Sequence, residues 1–125
     1  MKPLGYEAVQ HATASGRDTE RELLQRVTTR LKAARPDDPA GLAMLHEALR
    51  LNRNVWMTFA ADLASPQNPL PNDLKASMIS IASFVERNTL AAAKSREVLD
   101  CFIDINTSVM NGLATESPAA QSEEH

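Results

Sequence analysis

LAMLHEALRLNRNVWMTFAADLASPQNPLP, residues 42–71, holds both the clearest helical pattern in the chain and its hardest stop. Leu42, Leu45, Leu49, Asn52, Trp56, Phe59 and Leu63 recur in alternating steps of three and four. That spacing places side chains on one face of a helix, as a heptad-like seam. Met44, Leu51 and Val55 widen the apolar arc to about half of the helix, which predicts two packed neighbours rather than one. Upstream, Asp38-Pro39 pairs a capping side chain with a proline suited to the first helical position. Downstream, Pro66, Pro69 and Pro71 end the helix: each removes a backbone donor, and each biases the residue before it away from helix.

Outward from this stretch the same reading yields three more helices. Asp18 reads as the N-cap of the first, with Glu20 and Glu22 in its first turn and Leu23, Leu24, Val27, Leu31 and Ala34 on one face; Pro36 ends it. Before it, the sequence allows a short helix around Tyr6 to His11. Leu74, Met78, Ile81, Val85 and Asn88 define the third helix, starting near Asn72 and ending between Asn88 and Lys94. Ser95 caps the fourth, whose apolar arc carries Val98, Leu99, Phe102, Ile103, Ile105, Asn106, Val109, Met110 and Leu113. Gly112 is placed as its C-terminal stop. No strand pattern is present. The fold class is all-α: a compact bundle of four main helices with short connections and a proline-rich corner between the second and third. A single domain over residues 1–113 is predicted, with the small, polar, acidic 114–125 as a disordered tail.

Composition narrows the function. Hydrophobic residues make up 43% of the 125 and aromatics 4%, so aliphatic side chains must build a small core. A formal charge of −3 opposes broad attraction to nucleic acid or anionic lipid. The longest strongly apolar run without a charge, Ala76 to Val85, is roughly half of what a membrane helix requires. One cysteine, Cys101, excludes an internal disulfide, and the first fifteen residues lack the apolar core of a signal peptide. A cytoplasmic protein without membrane insertion is expected.

Catalytic chemistry finds no support. His11, His46 and His125 have no metal-ligand spacing, and the four glycines are isolated rather than gathered in a phosphate loop. Glu97, Asp100 and Asp104 form an acidic stripe on the fourth helix, read as a solvated face. Cys101 lies beside it, with no histidine at helical spacing to activate it. No enzyme, cofactor or metal is therefore expected. Six of the thirteen basic residues fall between Arg17 and Arg35, with Arg26 and Arg30 together on one side of the first helix. They are the candidates for RNA binding, although Glu22 partly neutralises them and no aromatics are interleaved, so a nucleic-acid partner is the lesser reading. Asn52 and Asn106 interrupt the apolar seams of the second and fourth helices. A buried amide must be hydrogen-bonded, so the simpler reading pairs them in the core, and the other places them in a groove that receives a partner.

NRNVWMTFAADLASPQNPLPNDLKASMISIASFVERN followed by CFIDINTSVMNGL resembles the FlaF family, small regulators of flagellum biosynthesis in alphaproteobacteria. The resemblance covers roughly residues 42–113 and rests on Trp56, Asp62-Leu63-Ala64, Asn68, Leu70-Pro71, Leu74, Ile79-Ser80-Ile81, Ile103 to Asn106 and Gly112-Leu113, taken in order. Gln67, Ala82, Phe84 and Asp104 depart from the family's pattern by mild changes of size or charge. The resemblance implies a cytosolic, non-enzymatic protein that promotes flagellin production and export by binding flagellin as a secretion chaperone. The family's usual counterpart is FlbT; an alternative is post-transcriptional regulation through RNA or FlbT, and export apparatus components are further partners. Flagellin ends in amphipathic helices that pair only in the filament, so a small helical partner could cover them before export. On this reading Trp56, Phe59, Leu63, Leu70, Ile79 and Phe84 are the expected partner-binding residues, with the stiff proline corner presenting Leu70 as part of a pre-organised rim.

Overall fold

The computed structural model describes residues 6–115, with side chains from 19 to 112. Four helices follow in order: α1 Tyr6–Ala33, α2 Pro39–Ala64, α3 Asn72–Ala92 and α4 Arg96–Thr115. No strand occurs among the described residues. Backbone contacts run α1 to α2, α2 to α3, α3 to α4 and α4 to α1, so the helices close a four-cornered ring. The connections are short and make sequence neighbours antiparallel. The α2–α3 interface is the most extensive of the four and α3–α4 the least. That inequality positions the candidate site described below.

Local chemistry sets the boundaries of α2. Asp38 is extended at the N-cap and accepts a 2.7 Å hydrogen bond from the Gly41 N–H, with Pro39 opening the helix. The turn before it is tight: a Cβ on Gly41 would overlap the Arg35 carbonyl oxygen. At the other end Ser65 leaves helical geometry just before Pro66. Asn68 then organises the proline corner, donating from its amide to Asp62 at 2.9 Å and accepting from the Leu70 N–H at 3.0 Å. This is an Asx-type turn, which holds the chain between two prolines without regular structure.

Two helix ends differ from the sequence expectation. α1 begins at Tyr6, so Asp18 lies inside it rather than capping it. No proline follows Pro3 before Pro36, Ala8, Ala12 and Ala14 favour helix, and the lone Gly16 costs only about 1 kcal/mol. A capping residue can start a helix but does not oblige one to start. α4 likewise runs through Gly112 to Thr115, two residues past the expected domain end. Residues 116–125, expected as tail, lie outside the described residues.

The core is aliphatic with one aromatic centre. Leu24, Leu31, Leu45, Leu49, Val85, Leu99 and Phe102 are sealed from solvent around Trp56. The Trp56 and Phe59 rings meet edge-on, with centroids 5.5 Å apart. Every member of the α2 seam is buried except Leu42, which sits in the first turn of the helix and is exposed, as is Met44. Leu23, expected on the core face of α1, is also exposed. Leu42 lies at the end of its seam, and Leu23 and Met44 lie at the margin of an apolar arc, where two neighbouring helices do not reach.

Candidate functional site

The residues expected to meet a partner do not share one accessible surface. Trp56, Phe59 and Leu63 are buried in the core, at 0%, 3% and 4% exposure. Burial takes all three off the accessible surface. Asn52 and Asn106 are also fully buried and bond to each other, the simpler of the two readings. The Trp56 indole N–H donates to the Asn106 carbonyl oxygen at 2.9 Å, and the Asn106 amide donates to Asn52 at 2.8 Å. The network joins α2 to α4 across the centre of the ring. It uses both ends of Asn106 but leaves the Asn52 amide nitrogen without a hydrogen-bond partner.

The remaining three expected residues occupy different faces. Leu70 is half-buried and packs against the core from the proline corner. Ile79 is exposed and lies two turns before Glu86, whose carboxylate meets Arg53 of α2 at 2.9 Å. Ile79 therefore sits on the flank of α3 turned toward α2. Phe84 sits on the opposite flank, half-buried, with its ring edge-on to Phe102 of α4 at 6.1 Å. No single rim contains Leu70, Ile79 and Phe84.

A groove lies where the ring is least closed, along α3 and α4. It holds about 500 Å³ and is lined by Ile81, Glu97, Asp100, Cys101, Asp104, Ile105, Ser108 and Val109. Ile81, Cys101, Ile105 and Val109 are each half-buried and form its apolar floor. Glu97, Asp100 and Asp104 form an exposed acidic wall; Asp100 is held by Arg96 at 3.0 Å, while Glu97 and Asp104 have no ion pair among the described residues. Sequence reasoning took the acidic stripe as solvated and missed the groove beside it. The usable signal was on α4 itself: Cys101, Ile105 and Val109 repeat every four residues beside the buried Phe102 and Asn106. Apolar side chains there exceed what one neighbouring helix covers.

With this geometry the chain also matches the family model described as Flagellar protein FlaF, over residues 4–113. The chain belongs to the FlaF family. No curated protein and no solved structure gives a significant match. The structure shows what several FlaF-like residues do: Trp56 and Asn106 bond one another, Asp62 and Asn68 bond one another, and Asn68 also caps the Leu70 amide. Much of the pattern that carries the resemblance is therefore scaffold, the central bridge and the proline corner. The α3–α4 groove takes only Ile81, Asp104 and Ile105 from it.

Arg26 and Arg30 are exposed on α1 and line a second depression of about 500 Å³ with Glu22, Gln25 and Thr29. Arg30 also lies near a carboxylate of α2. Glu47 is held below the usual carboxylate range, first by its hydrogen bond to Arg50, and the charge of Arg30 adds to the effect. The basic surface is thus interspersed with acid, and no aromatic side chain among the described residues lines it. No group of three or more histidine, cysteine or acidic residues among the described residues could hold a metal, and none of the helices is long and apolar enough to cross a membrane.

Proposed function

We propose that this FlaF-family flagellar protein is a non-enzymatic, cytoplasmic secretion chaperone that binds flagellin and promotes its production and export. The observation that carries the reading is the half-open α3–α4 groove, an apolar floor beside an exposed acidic wall. Unassembled flagellin has the matching need. Its terminal amphipathic helices expose apolar stripes until the filament forms, and a helix laid in a groove hides such a stripe. Binding also draws the free chain away from premature polymerisation by mass action. The test is size-exclusion chromatography with light scattering on this protein mixed with monomeric flagellin from the same organism. One stable complex is the expected result. Two separate peaks, with flagellin shown to be folded and export-competent, would reject it and favour FlbT or an export component as direct partner. The RNA reading retains one specific support, the paired exposed Arg26 and Arg30. If it held, binding to a flagellin leader transcript would fall steeply with salt and with Arg26→Gln/Arg30→Gln.

A further inference from the structure

We propose that the α3–α4 groove binds an amphipathic helix of about three turns whose apolar stripe is flanked on one side by lysine or arginine. The inference deepens the flagellin-binding reading and rests on it only for the source of the helix. Three features of the groove define the occupant. Along α4 its lining runs from Glu97 to Val109, about 18 Å at 1.5 Å per residue. A partner helix lying along that length presents about three turns. The groove also lies along α4 with Ile81 of α3 at its edge, at the ring's least extensive interface, where the ridges of a partner helix can pack against α4. Ile81, Ile105 and Val109 are half-buried there and would supply the apolar contact.

The third feature is the sign of the wall. Glu97 and Asp104 stand seven residues apart on one side of α4, two turns along the same edge, without an ion pair among the described residues. Asp100 lies between them, with its charge met by Arg96. Two free carboxylates beside an apolar floor favour a partner with cations at a matching two-turn spacing, and they repel one with acids there. The acidic wall therefore sets the register and facing of the helix, while the apolar floor supplies most of the contact. Cys101 lies on the floor next to the wall and is the chain's single thiol, so it reports occupancy directly.

The experiment uses the full chain and two synthetic helical peptides with the same leucine stripe, one carrying lysine and the other glutamate at two flank positions seven residues apart. The lysine peptide should bind about five- to tenfold more tightly by fluorescence anisotropy, a preference that shrinks in high salt. It should also slow alkylation of Cys101. Glu97→Lys/Asp104→Lys, with both changes on exposed side chains, should keep its helicity and reverse the preference between peptides. Equal binding of the two peptides, or unchanged Cys101 reactivity at saturation, would overturn the proposal. So would protection of Cys101 that grows with the protein's own concentration, since a second copy would then fill the groove. Flagellin separates the two readings. If it binds without protecting Cys101 and ignores the double substitution, the chaperone stands and the groove assignment falls. If the peptides behave as stated and flagellin neither binds nor competes, the groove stands and flagellin is not its ligand.

Discussion

At the scale of single residues, Asn106 holds the centre of the molecule. It accepts from Trp56 and donates to Asn52, so replacing it with leucine strands two buried polar groups, whereas Asn52→Leu strands one. Each orphan costs about 1–3 kcal/mol. Urea denaturation should therefore rank Asn106→Leu as the more damaging, and the double leucine variant should lose less than the sum of the two. Strict additivity would mean the bridge contributes nothing as a unit. Gly41 offers a test whose sign decides it. Helix propensity alone predicts that Gly41→Ala gains about 1 kcal/mol. The overlap of the new methyl with the Arg35 carbonyl predicts a loss instead, of about 1–3 kcal/mol. A lower melting temperature would confirm that the α1–α2 turn needs a bare backbone at that point. The amide of Asn106 was legible in the sequence as a seam interruption; the need for Gly41 was not, because its crowding comes from residue 35 folding back.

Among the elements, the proline corner and α4 behave differently from first appearance. Leu70 was a candidate for a free rim, yet it packs against the core and its amide is tied to Asn68. Leu70→Asp should accordingly lower the melting temperature and any flagellin affinity together. Loss of affinity with an unchanged melting curve would return Leu70 to the partner surface. Gly112, read as a stop signal, sits inside α4 with open space where a methyl group would stand. Gly112→Ala should then stabilise the protein by about 0.5–1 kcal/mol in thermal denaturation, chiefly by restricting the unfolded chain. A decrease would indicate that the helix does not continue past it. Both helix starts marked by a proline or a serine were legible: Asp38-Pro39 and Ser95 lie where the structure caps α2 and α4, with the Ser95 hydroxyl accepting from the Val98 N–H at 3.3 Å. The start of α1 was not, since continuation through Asp18 is a choice between two permitted conformations.

For the whole molecule, four helices share one core cluster, and Trp56 at its centre is the chain's single tryptophan. Unfolding should be a single cooperative transition in which tryptophan emission and helical circular dichroism change at the same denaturant concentration. Separate midpoints would show that part of the ring opens alone, and the weakly joined α3–α4 edge is the place to look. The same edge carries the groove for which partner binding is proposed.

Periodicity and punctuation alone determined that the described residues form four helices with a stiff corner, because the three-and-four spacing, prolines and capping residues act within one turn of where they stand. The order of FlaF-like residues was legible for the same reason, being a matter of sequence. The tertiary structure decided which apolar side chains face inward. Trp56 and Ile79 both sit on helices with wide apolar arcs, and only the positions of the neighbouring helices make one a sealed core residue and the other an exposed one. It also decided that Ile81, Ile105 and Val109 share a groove, since a surface between two helices exists only once their separation is set by everything packed behind them.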